Sequence, residues 1–304
     1  AERTRAYVKI EDGCENFCAY CKVPYVRGPV RSRDFERIRE EVARLCARGF
    51  REIVLTGIDL GAYGRDFGGS PSLADVLQMA ARTEGIARLR LSSVDPTDVT
   101  DRLLDIMGSE PAVCPHLHVP LQSGDDHVLE RMNRRYTSAQ FEAVVARARA
   151  RVPDLAVTSD VIVGFPGEDE AAFEATMALC GRVGFSRLHV FQYSRRRGTV
   201  AAGLAGQVPR EDKQRRSERL IALGRELALK FHRGLLGQIV HVLVEKSHGA
   251  ACEGLTGNYV RVVADGGAQT EGLALQPGAM AAVLVTEAHE GFVQGVVEGS
   301  EEEV

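Results

Sequence analysis

Residues 12–33 read DGCENFCAYCKVPYVRGPVRSR, and this stretch places Cys14, Cys18 and Cys21 within eight residues. Disulfides use cysteines in pairs, and a structural zinc site uses four ligands, usually as two separated pairs. No second Cys-x2-Cys or His-x3-His pair follows in the sequence. A [4Fe–4S] cubane has four irons, each usually held by a cysteine thiolate. Three thiolates therefore predict a cluster in which one iron stays open to a small molecule.

The composition is that of a globular protein with one large domain and one small one. The chain has 304 residues, of which 44% are hydrophobic and 26% charged. No apolar run approaches the roughly 18 residues that span a bilayer, and the polar N-terminus has no signal-peptide core. We therefore expect a cytoplasmic protein without membrane contact, in which the seven cysteines serve metal or redox chemistry rather than disulfides.

Extended apolar segments alternate with amphipathic segments of helical spacing along the first two thirds of the chain. The predicted strands cover residues 6–10, 52–57, 88–93, 117–122, 155–165 and 187–194. The predicted helices cover residues 34–49, 72–83, 97–107, 125–132, 137–152 and 168–183. Such alternation predicts an α/β fold with parallel strands, here a partial (β/α)6 barrel. By analogy with complete barrels, the active site should lie at the carboxyl ends of the strands, where the cysteines follow the first strand.

The last third of the chain has a different pattern. A helix over residues 210–233 is predicted as a connector, and four short alternating strands then predict a small β-barrel, at 239–245, 259–265, 281–289 and 292–299. We expect a domain division into residues 1–234 and 235–304. From Leu235 onward there are two basic and ten acidic residues, against 36 basic and 32 acidic before it. A polyanionic partner should therefore bind mainly to the first domain.

The cysteine loop, with Tyr20 directly before its last cysteine, resembles the radical S-adenosylmethionine superfamily. In that superfamily the open iron chelates the amino and carboxylate groups of S-adenosylmethionine, and electron transfer from the cluster produces a 5′-deoxyadenosyl radical. Further motifs occur in the order typical of its methylthiotransferases, namely LTGIDLGAYG, RLSSVDP, LHVPLQSGDDHVLERMNRRYT, TSDVIVGFPGE and LHVFQYSRRRGT. The small β-barrel then corresponds to the family's TRAM domain, usually an RNA-binding module, although an acidic barrel suits a polyanion poorly.

Within that group, RGPVRSR, GAYG and FQYSRRRGT resemble the bacterial enzymes that methylthiolate C2 of N6-threonylcarbamoyladenosine in tRNA, at position 37 next to the anticodon. The implied partners are the tRNA anticodon loop, S-adenosylmethionine and an electron donor such as flavodoxin or ferredoxin, with the protein as a monomer. Two alternatives stay open. One is a methylthiotransferase acting on isopentenyl-adenosine in tRNA or on an aspartate of a ribosomal protein. The other is a non-catalytic RNA-binding protein with a structural metal.

The resemblance also implies site residues beyond the three cluster cysteines. It assigns cofactor binding to Tyr20, Gly57, Ser93, Gln122, Ser123, Arg135, Gly164 and Phe165. Arg134 shares with Arg135 the expected pairing with the ligand carboxylate. RNA phosphate contacts are expected from Arg27, Arg31, Arg33, Arg195, Arg196 and Arg197. Several of these residues have an ordinary explanation as well: the glycines suit tight turns, Ser123 suits a helix N-cap, and exposed arginines are usually solvated.

Other residues carry less functional signal. His116, His118 and His189 lie in apolar strands without ligand spacing, which predicts core or pocket-lining positions. Methylthiotransferases normally have an N-terminal domain whose three cysteines hold a second [4Fe–4S] cluster, whereas only 13 residues precede Cys14. We therefore expect a truncated sequence in which that second cluster belongs to the missing domain. The remaining cysteines are predicted as packed positions, namely Cys46, Cys114, Cys180 and Cys252.

Overall fold

The computed structural model describes residues 4–249, 251–267 and 275–300. In chain order the strands are β1 (Arg5–Lys9), β2 (Glu11–Asp12), β3 (Arg31–Ser32), β4 (Glu52–Thr56), β5 (Arg88–Leu91), β6 (His116–His118), β7 (Ala156–Val163), β8 (Arg187–Gln192), β9 (Ile239–His248), β10 (Ala251–Thr256), β11 (Arg261–Gly266), β12 (Met280–Ala288) and β13 (Val293–Ser300). The helices are α1 (Val23–Arg27), α2 (Phe35–Ala47), α3 (Leu73–Ala81), α4 (Asp101–Ser109), α5 (Asp126–Arg131), α6 (Ser138–Arg151), α7 (Glu170–Val183) and α8 (Arg210–Arg233). Short 3-10 helices cover Leu60–Ala62, Arg65–Phe67, Pro96–Asp98 and Val200–Gly203.

Six parallel strands form the large sheet. Strands β1, β4 and β5 pair in parallel in that order, and β6, β7 and β8 form a second parallel set. Parallel bridges from Leu89 to Val113 and from Ser93 to His118 join the two sets. The strands therefore follow one another around an incomplete barrel, which confirms the predicted α/β partial barrel.

Helices α2 to α7 cover one face of this sheet, and each begins at a side-chain cap. Asp34 accepts the amide of Arg37 at 3.0 Å to start α2, and Thr137 forms a capping box with Gln140 to start α6. The predicted helix over 97–107 begins later than expected, at Asp101, because the residues before it form the 3-10 turn. Within the described residues, no helix combines the length and apolar character that crossing a bilayer requires.

Alternation along β7 separates the two faces of the sheet. Val157, Val161 and Val163 are buried in the main core with the helices. The side chains between them, Thr158 and Asp160, lie on the opposite face, because successive residues of a strand point to opposite sides. This inner face carries polar groups on several strands.

Helix α8 has the predicted bounds and packs on the large sheet. Leu220 is buried in the main core, and at Gly224 an added Cβ would lie 3.3 Å from Cβ of Leu188 on β8. The helix therefore covers the last strand of the sheet, as well as leading to the C-terminal strands.

The C-terminal strands close into a five-stranded barrel in the order β10-β11-β13-β12-β9. Four of them fall at the predicted segments, and β10 is the strand that the sequence pattern missed. Its residue Gly254 has no side chain, and a Cβ there would lie 2.1 Å from the carbonyl oxygen of Leu243 on β9. The register also shifts at this point between Glu253 and Gly254. A strand with a bulge and a glycine lacks the alternation that predicts strands.

One buried carboxylate organises the amino end of the large sheet. Glu52 is fully buried, and its oxygens lie 3.1 Å from Nε of Arg90, 3.8 Å from Nη1 of Arg5 and 3.8 Å from Nη1 of Arg88. The three arginines are themselves buried. Because β1, β4 and β5 pair with Arg5 opposite Glu52 and Glu52 opposite Arg88, the strand register itself creates this ion cluster.

The same arginines hold the C-terminal barrel. Arg88 donates to the carbonyl oxygen of Leu255 at 2.8 Å, and Arg90 donates to that of Gly257 at 2.9 Å. The Arg90 guanidinium also lies 4.4 Å from the ring centroid of Tyr259. The buried arginines therefore join the two β structures.

Replacing Glu52 should destabilise the whole protein. In Glu52→Ala, three buried guanidinium groups lose their shared carboxylate, and a buried pair broken in this way costs about 3–5 kcal/mol. The matched control is Glu142→Ala, which removes the partly exposed pair of Glu142 with Arg182 and should cost at most about 1 kcal/mol. Urea unfolding followed by circular dichroism measures both, and equal losses for the two variants would contradict the role of Glu52.

Candidate active site

The cysteine loop follows β2 at the carboxyl edge of the large sheet, and its entry point requires a glycine. Gly13 has a φ of +94°, and a Cβ there would lie 2.0 Å from the carbonyl oxygen of Pro29. The next residue, Cys14, donates its amide to the carbonyl oxygen of Gly28 at 3.1 Å. These contacts close residues 13–29 into a loop above the sheet.

Each of the three thiol sulfurs is partly exposed and accepts one N–H group. The pairs are Cys14 with the amide of Asn16 at 3.5 Å, Cys18 with Nη1 of Arg134 at 3.2 Å, and Cys21 with the amide of Val23 at 3.4 Å. The four other cysteines are buried, as predicted, so only the loop cysteines are open to a ligand.

The donor set fits an iron–sulfur cluster better than a single metal ion. A single ion needs its ligand atoms gathered closely, yet Cys14, Cys18 and Cys21 do not belong to any group of described side chains whose ligand atoms all lie within 4.8 Å. In a cubane, each thiolate binds a different iron, so the sulfurs stand further apart. Three soft thiolates without a fourth ligand from the loop match a cluster with one open iron.

Acidic side chains that the sequence reasoning missed lie beside Cys14. Asp59 accepts from Nδ2 of Asn16 at 2.9 Å and from the Cys14 thiol at 3.5 Å. Burial raises the pKa of Asp59 and the pKa of Cys14, the latter to about 12. Burial also raises the pKa of Glu11 to about 7, although its carboxylate accepts the Asp59 amide at 2.8 Å. Asp59 comes two residues after Gly57, just beyond the end of β4. That position at the carboxyl end of a strand is the feature of the sequence that could have predicted Asp59 as a site residue.

Arg134, rather than Arg135, reaches the cysteine loop. Besides Cys18, its buried guanidinium contacts Asp95 Oδ2 at 2.5 Å and the hydroxyl of Tyr136 at 3.2 Å. Arg135 is exposed, and its hydrogen bond within the described residues is to the carbonyl oxygen of Glu15, 3.4 Å away. The predicted contact of Arg135 with a cofactor carboxylate stays a prediction.

Two predicted cofactor glycines have close neighbours within the protein itself. A Cβ at Gly57 would lie 2.5 Å from Oε2 of Glu11. Gly164 has a φ of +71°, and a Cβ there would lie 2.3 Å from Cγ of Lys213 on α8. Protein packing alone therefore explains both glycines, and their approach to a cofactor stays a prediction.

The two predicted aromatic residues pack against each other. Phe165 is fully buried, with ring centroids 6.4 Å from Tyr20 and 5.3 Å from Tyr193 in edge-to-face geometry. The Phe165 ring is thereby committed to packing, so any contact of this residue with a cofactor would have to come from its backbone.

Two further predicted residues lie on the rim formed by the strand ends. Ser93 pairs with His118 in an isolated parallel bridge, and Gln122 pairs in the same way with Val161. Gln122 has a φ of +65°, a conformation that is unusual for a residue with a side chain. The backbone strain is located at the carboxyl end of the fourth predicted strand, next to the inner face of the sheet.

Ser123 does not cap the following helix, so that explanation of it was wrong. Asp125 is the N-cap of α5 and accepts the amide of Val128 at 2.9 Å. Ser123 is buried, and its hydroxyl lies 3.4 Å from that of Thr176 on α7. Asp125, two residues after Ser123, is the residue directly before the first helical turn, so its carboxylate is the one placed to cap the helix.

The arginines after the cysteines are partly paired. Arg27 and Arg31 lie 3.7 Å and 3.6 Å from Oδ2 of Asp12, and Arg33 pairs with Glu41. All these pairs are partly exposed, so they can exchange a carboxylate for another anion at small cost.

The second arginine group lies beside the same loop. Residues 195–197 follow β8 and are exposed. The segment after them is hydrogen-bonded to the cysteine loop through the amide of Ala201 and the carbonyl oxygen of Ala19, at 2.8 Å. The structure therefore brings both predicted arginine groups to the edge of the sheet that carries the cysteines.

Comparison with known proteins yields relatives over most of the chain. A protein from Thermotoga maritima named threonylcarbamoyladenosine tRNA methylthiotransferase MtaB is 42% identical over 80% of this chain and 56% of its own. The protein of the same name from Bacillus subtilis is 40% identical over 87% of this chain and 60% of its own length. A tRNA-2-methylthio-N(6)-dimethylallyladenosine synthase from Carboxydothermus hydrogenoformans is 42% identical over 79% of this chain and 55% of its own length. The chain thus spans somewhat more than half the length of these relatives.

Solved structures show the same fold at low sequence identity. Coproporphyrinogen III oxidase (HemN) from Escherichia coli, a radical SAM enzyme, has a TM-score of 0.53 and 15% identity, over 92% of this chain and 66% of its own. Methylornithine synthase (PylB) has a TM-score of 0.52 and 14% identity, over 75% and 68%.

The family model of the radical SAM superfamily matches residues 8–180, which include the whole cysteine loop, the end of β1 and four of the other five parallel strands. The cofactors of this superfamily are a [4Fe–4S] cluster and S-adenosylmethionine. The cysteine loop and the partial barrel agree with this match. The chain therefore belongs to the radical SAM superfamily.

Proposed function

We propose that the protein is a radical SAM tRNA methylthiotransferase. One observation carries the proposal: the three-cysteine loop lies at the carboxyl edge of the parallel sheet in a chain about 40% identical to proteins named as tRNA methylthiotransferases. The expected reaction replaces the C2 hydrogen of a modified adenosine at position 37, next to the anticodon, with a methylthio group.

In this proposal Cys14, Cys18 and Cys21 hold the [4Fe–4S] cluster through their three sulfurs. When bound, the cluster and S-adenosylmethionine supply a 5′-deoxyadenosyl radical for hydrogen abstraction. Arg134 holds Cys18 in place through its contact with the sulfur, while Asp95 anchors the guanidinium. The parallel strands enclose the reacting atoms, and the target base has to leave its stack to reach them, as in most recognition of single-stranded RNA.

For the substrate we propose N6-threonylcarbamoyladenosine. Its threonyl group carries a carboxylate, whereas the dimethylallyl group of the alternative is apolar. Arg196 and Arg197 are exposed beside the cysteine loop, and neither has an ion-pair partner among the described residues. A guanidinium fork suits a carboxylate. The alternative stays open, because relatives of both names share about 42% identity with this chain.

The arginines near the cysteines, rather than the C-terminal barrel, are the proposed RNA contacts. The barrel's two basic residues are already paired: Lys246 lies 3.0 Å from Glu253, and Arg261 pairs with the same carboxylate. Arg5 of the large sheet also lies 2.5 Å from Glu245 of the barrel. Because Lys246 and Arg261 are both paired with a carboxylate of the barrel, the barrel offers little positive charge to phosphates.

Several expectations stay predictions. They are the domain division after residue 234, the cytoplasmic location, the monomeric state and the electron donor such as flavodoxin or ferredoxin. The first of these is supported by the end of α8 at Arg233 and the start of β9 at Ile239.

Cys18→Ala should abolish formation of 5′-deoxyadenosine from S-adenosylmethionine, because the variant loses a cluster ligand. The measurement is anaerobic reconstitution with iron and sulfide, reduction with dithionite and chromatography of the nucleoside. Cys46→Ala, which changes a buried cysteine on α2, is the control and should retain both cluster and product. One tightly bound zinc without sulfide in the native protein would instead support the non-catalytic RNA-binding alternative.

The double substitution of Arg196 and Arg197 by Gln should weaken binding of a tRNA anticodon stem-loop. If both side chains contact anions, the slope of log K against the logarithm of the salt concentration should decrease in magnitude by about one to two. Fluorescence anisotropy at two salt concentrations measures it. Arg182→Gln, an exposed arginine on the outer helix α7, is the control. An unchanged salt slope in the double variant would place the RNA elsewhere.

Deleting the gene should remove 2-methylthio-N6-threonylcarbamoyladenosine from cellular tRNA and leave 2-methylthio-dimethylallyladenosine unchanged. Nucleoside mass spectrometry measures both. Complementation with the Cys46→Ala gene should restore the product, and the Cys18→Ala gene should fail. Loss of the dimethylallyl product alone would favour the other tRNA substrate, and loss of neither, with an altered ribosomal protein, would favour the protein substrate.

A further inference from the structure

Three side chains of the types that bind metals meet on the inner face of the large sheet, and none of them belongs to the cysteine loop. They are His118 on β6, Asp160 on β7 and His189 on β8, and their ligand atoms all lie within 4.8 Å of one another. Nε2 of His118 is 3.3 Å from Oδ1 of Asp160, and the two imidazole rings have centroids 5.8 Å apart. Among the described side chains, this is the one group of three with such convergence.

Strand register, and not local spacing, brings the three residues together. Asp160 is paired directly with His189 in the parallel register of β7 and β8. His118 is paired with Thr158, which precedes Asp160 by two residues and therefore lies on the same face. The three residues are far apart in sequence, so a motif with fixed spacing could not reveal them.

A hydrogen bond already orients the first imidazole. Nδ1 of His118 lies 2.9 Å from the hydroxyl of Thr158, which turns Nε2 toward Asp160. The same hydroxyl lies 3.0 Å from Nε2 of His116, which is buried. Metal-binding histidines are usually held through their second ring nitrogen in this way.

The distances suit a small divalent cation. Two ligand atoms bound tetrahedrally at 2.0–2.1 Å from one zinc stand about 3.3 Å apart, which is the separation of His118 Nε2 from Asp160 Oδ1. A His–Asp hydrogen bond alone would explain that pair, but it would not require His189 to converge on it as well. Two imidazoles and one carboxylate are also a recognised ligand set for first-row divalent metals.

We propose that His118, Asp160 and His189 form a second metal site, which binds one first-row divalent cation such as Zn²⁺. All three side chains are partly exposed on the inner face, so the ion has a path from the barrel interior. Three protein ligands leave at least one coordination position open toward that interior. The site shares no ligand with the cysteine loop, and the inference does not depend on the proposed function.

Metal analysis of the reconstituted protein tests this site. With the loop cysteines occupied by the cluster, anaerobic dialysis against Zn²⁺ should leave one zinc per chain in addition to the cluster iron, as measured by mass spectrometry of the elements. No retained zinc would overturn the proposal without any substitution.

Variants locate the ion. His118→Ala and His189→Ala should each lose the extra zinc, while His127→Ala, an exposed histidine on α5, should keep it. Thr158→Val keeps the ligands but removes the orienting hydroxyl, and should weaken zinc binding about 10–100-fold. Circular dichroism confirms that each variant is folded. Full zinc retention in both ligand variants would overturn the site.

Discussion

The burial of Glu52 among three arginines is the constraint on which the arrangement of the molecule depends. A buried carboxylate and three buried guanidinium groups are tolerable only if they compensate one another. The parallel register of β1, β4 and β5 supplies that compensation, and the remaining N–H groups of Arg88 and Arg90 bind carbonyl groups of the C-terminal barrel. The ion cluster that this register creates also holds the second β structure, and it lies at the end of the sheet opposite the cysteine loop.

At that opposite end, charge is concentrated around the cysteines. Asp59 and Glu11 are buried close to Cys14, where burial raises the pKa of both carboxyl groups. Arg134 brings a positive charge to Cys18, and Asp95 balances it. The loop is therefore embedded in paired polar groups supplied by several strand ends. Positioning by a rigid sheet is what a site for a demanding cofactor needs.

Local patterns predicted the elements well, and contacts between distant residues less well. The alternation of six strands and six helices is visible in the sequence, because each element buries one face in a regular period. Strand β10 was not predicted, because Gly254 makes close backbone contact instead of burying a side chain. Similarly, the sequence could name a pair of arginines but not show that Arg134 turns inward, and it assigned His118 and His189 separately to core or pocket positions. Their convergence depends on strand register, which short-range patterns do not contain.

The incomplete barrel leaves β1 at one end of the strand order, with a single paired neighbour among the described strands. A bare strand edge is a template on which another chain can add, so it carries a risk of aggregation. Here the strand is only five residues long, and charged residues stand at both of its ends, Arg5 turned inward and Lys9 partly exposed. Short length and flanking charge both disfavour the addition of a strand from another molecule at that edge.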